Sequence, residues 1–153
     1  MKDVITAIVF LASCLLAFPA PAEEPAASPT LYQRLGEMEG IESIVRKTVA
    51  LHEANPVIAA YVRHIDQEWL VGSVTAFFAA GTGGPNQYTG ADMVTAHAHL
   101  DLTDEEFDAA VGDVLLALEA HDIDDESYAE VSNILESLRG AVVSARPVIA
   151  AEN

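Results

Sequence analysis

Residues 76–93 read AFFAAGTGGPNQYTGADM, and this stretch separates a long apolar segment from a short one. Residues 81–90 within it hold four glycines and one proline, a composition that no regular helix or strand tolerates. The seven residues that follow, Ala91 to His97, can form a short helix. The stretch therefore predicts a long helix, a glycine-rich turn and a short helix that ends at His97.

Apolar residues recur at helical spacing on both sides of this turn, from about residue 30 to residue 143. Thr30 can cap a first short helix, and Thr103 with Glu106 forms a capping box at the start of a later one. No segment alternates with a period of two, so we predict an all-α fold. The predicted core stripes are Leu31, Tyr32 and Leu35; Ile41, Ile44, Val45, Thr48 and Val49, on a helix that ends before Pro56; Trp69, Leu70, Ser73, Val74, Phe77 and Phe78; Phe107, Ala110, Val111, Val114, Leu115 and Leu118; and Tyr128, Val131, Ile134, Leu135 and Leu138.

The overall composition bounds both the domain count and the partners. The chain has 153 residues, a length that suits one domain, and 51% of them are hydrophobic, too many for an acidic disordered protein. It has 24 acidic residues against seven Lys and Arg, a formal net charge of −17. Binding to nucleic acid or to anionic lipid requires clustered basic residues, so both are excluded as partners.

The N-terminus has the pattern of an export signal. In residues 1–22, Lys2 precedes an apolar run that ends at Phe18, and Ala20-Pro21-Ala22 is a small-residue cleavage site. We therefore predict an exported, periplasmic protein with no membrane span after cleavage. The segment 11–14 (LASC) also resembles a lipoprotein box, and lipid anchoring through Cys14 is the alternative.

The remaining boundaries follow from composition. Residues 23–30 are rich in Pro, Ala and Ser and predict a flexible linker, and residues 31–143 form the folded domain. Residues 144–153 predict a C-terminal tail, since Pro147 interrupts helix continuation. Cys14 is the only cysteine, so the mature domain has no disulfide, no cysteine-based zinc site and no c-type haem attachment through a C-x-x-C-H motif.

Five histidines are the candidates for chemistry: His52, His64, His97, His99 and His121. No two of them have the i, i+4 spacing of a helical metal site, and the chain has neither a P-loop nor a recognisable hydrolase triad. One histidine in apolar surroundings suffices for haem, which binds through a proximal imidazole. The apolar side chains that can form walls for it are Trp69, Val74, Phe77, Phe78 and Met93. A purely structural histidine in an ordinary core is the alternative.

Three blocks of sequence together resemble a truncated haemoglobin of the first group. They are residues 31–45 (LYQRLGEMEGIESIV), residues 76–93 quoted above, and residues 96–118 (AHAHLDLTDEEFDAAVGDVLLAL). The resemblance covers about residues 31–140. It implies a two-over-two α-helical sandwich around one non-covalent haem b (iron protoporphyrin IX), with His97 as the proximal iron ligand and His99 facing elsewhere.

The distal side departs from the family pattern. Val49 stands where the family usually has a distal tyrosine, and Leu70 and Val74 stand at two positions where glutamine is common. A usual Phe-Phe pair reads Tyr61-Val62. Thr48 and Ser73 supply the nearby hydroxyls. The residues predicted to bind the cofactor are His97, Val49, Leu70, Val74, Phe77, Phe78 and Met93.

An apolar distal pocket predicts the relative affinities of the iron for O₂, CO and NO. A distal donor stabilises the partial negative charge on bound O₂, and a hydrogen bond to a charged group contributes about 1.5–3 kcal/mol. Without it we expect weak O₂ binding at a five-coordinate iron that still binds CO or NO. The sequence leaves open whether the chain is an enzyme and favours a gas-binding or oxygen-carrier protein. Two alternatives remain: a redox enzyme (NO dioxygenase or peroxidase) with a redox partner, and a haem-free globin-like interaction domain.

Two features of charge bear on this prediction. Haem propionates require cations, and the best placed are Arg46, Lys47, Arg63 and His64. Residues 101–130 hold twelve acidic residues and no Lys or Arg. The simplest interpretation of that segment is a solvated acidic face, and a docking surface for a basic redox partner is the alternative.

Overall fold

A computed structural model describes residues 28–143, which form eight helices and no strand. The predicted signal segment, most of the linker and the tail lie outside these residues. No helix of the described part is long and apolar enough to span a membrane. The helices are α1 (Leu31–Arg34), α2 (Glu37–Ala54), α3 (Ala59–Val62), α4 (Gln67–Gly81), α5 (Met93–His97), α6 (Asp104–Glu119), α7 (Asp125–Ser137) and α8 (Arg139–Val142).

Both predicted caps are confirmed. The Thr30 hydroxyl accepts the Gln33 backbone N–H, and the Gln33 side chain accepts the Thr30 N–H in return. At α6 the Thr103 hydroxyl accepts the Glu106 N–H at 3.3 Å, while Glu106 Oε2 accepts the Thr103 N–H at 2.8 Å. Each pair satisfies two backbone donors that a helix start leaves without partners, which explains why these helices begin where they do. The short helix α8 was not predicted from the sequence.

Four long helices form the two-over-two sandwich. Helix α2 packs against both α4 and α6, and α6 packs against α7. A first core cluster, to which α1, α2, α4, α6 and α7 contribute, lies at their centre. Its buried members are Leu31, Leu35, Ile41, Ile44, Val45, Val49, Val71, Ala79, Ala117, Leu118 and Val131.

A second, smaller core cluster lies where α5, α6 and α8 meet. Helix α5 packs against α8, and α8 packs against both α6 and α7. The N-terminal half of α6 serves this second cluster, while its C-terminal half serves the first. The buried members of the second cluster are Leu102, Phe107 and Val142, and the partly buried side chains packed on them are Tyr61, Met93, Leu100, Val111, Leu138 and Val143.

The predicted core face of α4 was wrong in part. The fully buried residues are Val71, Thr75 and Ala79, which line up at i, i+4 spacing. The predicted stripe from Leu70 to Phe78 is only partly buried, and Trp69 is 64% exposed. Val71, Thr75 and Ala79 have small or β-branched side chains, which let α2 pack closely on this face of α4. The bulkier side chains of α4 lie beside this contact.

In the glycine-rich turn after α4, the backbone packs closely against the end of α4 and against α1. Gly83 has a φ of +91°, which favours glycine because it has no Cβ. A Cβ on Gly84 would lie 2.6 Å from the Ala79 carbonyl oxygen and 3.0 Å from the Tyr32 ring. The Tyr32 N–H also donates to the Thr82 carbonyl at 2.9 Å. The turn is thereby fixed against α1 before the chain continues to α5.

Candidate functional site

Helix α5 presents His97 and is held at its start by Asp92. The Asp92 carboxylate accepts the Thr95 backbone N–H at 2.7 Å, as an N-cap does. This backbone hydrogen bond and one from the Thr95 side chain lower the pKa of Asp92 below its usual value. The five-residue helix has no buried side chain, so its order depends on this cap and on packing against α8.

The ring orientation of His97 is set by its own helix. His97 Nδ1 lies 2.8 Å from the Met93 carbonyl oxygen. A carbonyl can only accept, so Nδ1 carries a proton, and in the neutral ring Nε2 then keeps its lone pair. No described side chain hydrogen-bonds to Nε2. The partly buried imidazole is therefore in the tautomer that a neutral metal ligand requires, with the outer hydrogen bond that fixes its direction.

The other histidines are engaged elsewhere or exposed. His121 Nδ1 donates to the Ala117 carbonyl at 2.7 Å, and its Nε2 accepts from the Ser43 hydroxyl at 2.9 Å. His64 and His99 are exposed.

His52 belongs to a buried polar cluster between α2 and α6. His52 Nδ1 lies 2.9 Å from an oxygen of Asp113, and the Asn55 amide donates to both oxygens of that carboxylate at 3.1 and 3.2 Å. Asp113 is only 6% exposed. The sequence pattern did not predict this cluster, whose contacts join the C-terminal end of α2 to the middle of α6.

The apolar side chains predicted to surround a cofactor lie on both core clusters. Val49 is buried in the first cluster, and Leu70, Val74 and Phe78 are partly buried against it. Met93, on the helix of His97, packs on the second. Among the described helices α4 packs on α2, whereas α5 packs on α8. The two helices that carry these side chains therefore pack on different neighbours.

Phe77 has a more specific partner than predicted. Its ring meets the Tyr88 ring edge-on, with centroids 5.3 Å apart and planes at 83°. Phe77 therefore also ties the end of α4 to the glycine-rich turn that precedes α5.

The residues predicted for the distal side are buried or partly buried in the structure. The Thr48 hydroxyl donates to the Ile44 carbonyl at 3.0 Å, so it is committed to its own helix. Thr48 is therefore removed as a candidate distal donor. Ser73 is partly buried, whereas Val49, at the position of the usual tyrosine, is 6% exposed.

Gln67, the first residue of α4, was overlooked. Its Nε2 donates to the Val62 and Ile65 carbonyls at 3.1 and 3.0 Å, which closes the corner between α3 and α4. Tyr61 supports the same corner, because its hydroxyl donates to Glu106 at 2.7 Å. Tyrosine at this position thus adds a hydrogen bond to α6 that phenylalanine cannot make.

The cations of the described residues are largely committed. Arg34 pairs with Glu126 and Glu130, and Arg139 pairs with Asp104, Asp108 and Glu136. Part of the acidic segment is therefore neutralised within the chain. Arg46 pairs with Glu42 and Glu68, which removes it as a propionate partner. The Arg63 guanidinium donates to the Glu53 carbonyl at 2.7 and 3.0 Å and keeps its full charge.

These observations fit a haem better than a small metal centre. The described part of the chain contains no group of three or more His, Cys, Asp or Glu that could hold a metal ion. It offers instead one oriented imidazole and apolar side chains on the flanking helices, which are the two requirements of non-covalent haem.

Comparisons with known proteins agree with this arrangement. The family model for the bacterial-like globins matches residues 30–144. A group 1 truncated haemoglobin of Mycolicibacterium paratuberculosis is 30% identical over 115 residues, which cover 75% of this chain and 82% of that protein. A group 1 truncated haemoglobin of Tetrahymena thermophila is 24% identical over 111 residues, or 72% of this chain and 92% of that protein.

The fold is similar to that of solved truncated haemoglobins. The Fe(III) form of the protein from Tetrahymena pyriformis superposes with a TM-score of 0.72 at 23% identity, over 76% of this chain and 99% of that one. A two-over-two haemoglobin of Synechococcus, solved in the cyanomet state with covalently attached haem, gives a TM-score of 0.69 at 24% identity, over 72% and 94% of the two chains. The predicted all-α two-over-two fold is confirmed.

Proposed function

The chain belongs to the bacterial-like globin family as a group 1 truncated globin, and on this premise we propose that it binds one haem b through His97 and reversibly binds a diatomic gas. Members of this family bind haem and gases. His97 would hold the haem iron, which would supply the coordination site for the gas.

The observation that carries the proposal is the hydrogen bond between His97 and the Met93 carbonyl. It holds the proton on Nδ1 and leaves Nε2 as the basic atom. The same bond restricts rotation of the ring, so the imidazole is pre-oriented before the cofactor arrives. Asp92, by capping α5, keeps Met93 and His97 in helical register.

The distal side favours ligands that need no hydrogen-bond donor. Val49, Leu70 and Val74 supply only aliphatic groups, the Thr48 hydroxyl is committed to Ile44, and the partly buried Ser73 carries the other nearby hydroxyl. We therefore propose a five-coordinate ferrous iron that binds CO or NO well and O₂ weakly. A peroxidase role is disfavoured, because peroxide cleavage requires a distal acid–base group.

The cations best placed to bind the propionates lie at the corner between α3 and α4. Arg63 and His64 are both exposed there, and Arg63 makes no ion pair with a described carboxylate. Lys47, exposed on α2, is the further candidate.

An absorption spectrum tests the proposal directly. Protein expressed with haem should show a Soret band, and its ferrous form should shift on addition of CO. His97→Ala should abolish the band, whereas His99→Ala, a matched control on an exposed histidine two residues away, should keep it. Retention of the band in His97→Ala would assign the iron to another residue, and its absence from the unmutated protein would leave a haem-free globin-like domain.

We also propose that the protein is exported, on the strength of the apolar run and the Ala20-Pro21-Ala22 site. Mass spectrometry of the protein from the periplasmic fraction should find a mature chain that starts at Glu23. A lipidated chain that starts at Cys14 would replace this proposal by membrane anchoring.

A further inference from the structure

Helix α5, which carries His97, depends on its neighbours for its position. None of its five residues is buried, and it packs chiefly on α8. Met93, its first residue, packs against the second core cluster. The His97 imidazole donates its Nδ1 proton to the carbonyl of this same Met93, at 2.8 Å. The direction of the imidazole therefore depends on how α8 and the second core cluster hold Met93.

Helix α8 is too short to be stable by itself. It has four residues, of which Val142 is buried. Isolated helices of this length do not form in water, so the position of α8 must come from tertiary contacts. Arg139, the first residue of α8, contacts four side chains on its neighbours.

The Arg139 guanidinium joins α8 to α6. Its terminal nitrogens donate to Asp104 at 2.9 Å and to Asp108 at 2.6 Å, both on α6. Its Nε donates to Glu136 in the last turn of α7. The guanidinium carbon also lies 4.4 Å from the centre of the Phe107 ring, in a cation–π contact. Phe107 is 5% exposed, so the guanidinium lies against a buried member of the second core cluster.

These contacts act together, unlike separate ion pairs on a surface. A single exposed pair contributes little, because its side chains lose conformational entropy and water screens the charges. Here three carboxylates on two helices share one guanidinium, and the Arg139 side chain is only 30% exposed. The loss of entropy in ordering this one side chain is thus offset by four contacts. Arg139 thereby fixes α8 against α6.

We propose that Arg139 is a positioning residue: by fixing α8 against α6 it holds Met93 in place, and so sets the direction of the His97 imidazole toward the haem iron. The proposal rests on the proposed binding of haem through His97. The guanidinium contacts Phe107, Met93 packs on the cluster that contains Phe107, and the Met93 carbonyl accepts the His97 proton. The outer hydrogen bond of a metal-bound histidine controls its orientation and its basicity, so a displaced Met93 changes the ligand itself.

Arg139→Met tests the proposal, because methionine keeps an apolar stem beside Phe107 and removes the charge. Arg34→Met is the matched control. Arg34 also joins two helices, α1 and α7, through ion pairs with Glu126 and Glu130, and its side chain is 20% exposed. Both of these helices contribute to the first core cluster, which contains no residue of α5.

Resonance Raman spectroscopy of the five-coordinate ferrous protein records the Fe–His stretching band, which responds to the direction and basicity of the imidazole. In Arg139→Met this band should move to lower frequency, since weaker donation from Nδ1 makes the imidazole a less basic ligand. Transfer of haem to a haem-acceptor protein should become roughly tenfold faster. Arg34→Met should keep the band and the transfer rate of the unmutated protein, even if it unfolds at lower denaturant concentration.

Amide hydrogen exchange gives a readout that needs no haem. The Ala96 and Ala98 amides, at the C-terminal end of α5, donate to the Asp92 and Val94 carbonyls at 2.9 and 2.8 Å. They are therefore protected while α5 is held in place. In ¹⁵N-labelled Arg139→Met, reduced and held under CO so that any haem is diamagnetic, these two amides should exchange faster relative to the amides of α2. Arg34→Met should not show this local effect.

Asp108→Ala is the second variant. It removes one exposed carboxylate from the guanidinium and leaves the core unchanged, so it decides the question if Arg139→Met does not fold. It should move the Fe–His band and the α5 exchange in the same direction, by less. The proposal is overturned if the Fe–His band and α5 exchange of these variants match the unmutated protein, or if Arg34→Met changes them equally. Absence of haem from the unmutated protein would refute the proposed function instead, and the amide exchange would still decide whether Arg139 holds α5.

Discussion

Replacing Val49 with tyrosine tests whether the apolar distal side controls gas binding. Val49 is 6% exposed on α2, within the first core cluster, and the partly buried Leu70 and Val74 on α4 pack against the same cluster. A tyrosine hydroxyl placed there can donate to the partial negative charge on bound O₂. A hydrogen bond to a charged acceptor contributes about 1.5–3 kcal/mol, which corresponds to O₂ dissociation slowed roughly 10- to 100-fold.

The larger ring has a cost to stability. Overpacking a filled site destabilises by about 1–3 kcal/mol, so Val49→Tyr should unfold at lower denaturant concentration. Val49→Phe has nearly the same ring without the hydroxyl and carries the same penalty. The difference between these two variants therefore isolates the hydrogen bond. Val74→Gln, at a partly buried position with more room, is the second way to introduce a donor.

Stopped-flow displacement of O₂ by CO from the ferrous protein measures the effect. We expect fast O₂ dissociation in the unmutated protein and in Val49→Phe, and slow dissociation in Val49→Tyr. CO dissociation should change much less, because CO carries less charge. Equal rates of O₂ release from the tyrosine and phenylalanine variants, or slow release from the unmutated protein, would refute control of O₂ binding by the apolar distal side.

Three further predictions follow from the described contacts. Asp92→Ala should release haem faster because α5 loses its cap, whereas Asp92→Asn should keep the cap. The pKa of Asp92 is lowered in the fold from its ordinary value of 3.8, so its stabilising effect is present above that pH and is lost as pH falls through the lower folded value. Haem release below pH 3.8 should therefore lose this pH dependence in Asp92→Asn. Asp113→Ala should lower the free energy of unfolding by about 2 kcal/mol in urea, because His52 and Asn55 lose their partner; an unchanged midpoint would contradict this. Thr75→Val should raise the free energy of unfolding by about 1 kcal/mol, because the buried hydroxyl without a partner is replaced by a methyl group of the same shape, and a loss of stability would show that the hydroxyl is satisfied.

Local signals in the sequence predicted the helices well. Caps such as Thr103 with Glu106, and breakers such as Pro56, act within one turn of the chain, so they can be interpreted without a fold. Four glycines and a proline within residues 81–90 likewise predicted the turn. The identity of His97 as the candidate ligand depended on the resemblance, whereas its tautomer follows from the carbonyl four residues earlier.

The faces of the helices were harder to predict. Hydrophobicity assigned Trp69 to the core, yet the close approach of α2 selects Val71, Thr75 and Ala79, and Trp69 is left in solvent. Arg46 was likewise predicted to bind a propionate, but in the structure its guanidinium pairs with Glu42 and Glu68. In both cases a contact with a neighbouring helix determines the surroundings of the side chain. The local sequence pattern does not indicate which helix will be the neighbour.

By itself the sequence determined the all-α class and most of the helix limits, and its resemblance to the family supplied His97 as the candidate ligand and Val49 in place of a distal tyrosine. Only the tertiary structure decided that Asp113 meets His52, 61 positions earlier, and that Arg139 meets Asp104, 35 positions earlier. Helix formation depends on residues three or four positions apart. Partners across helices depend instead on how whole helices dock, which is settled by shape and burial summed over the core.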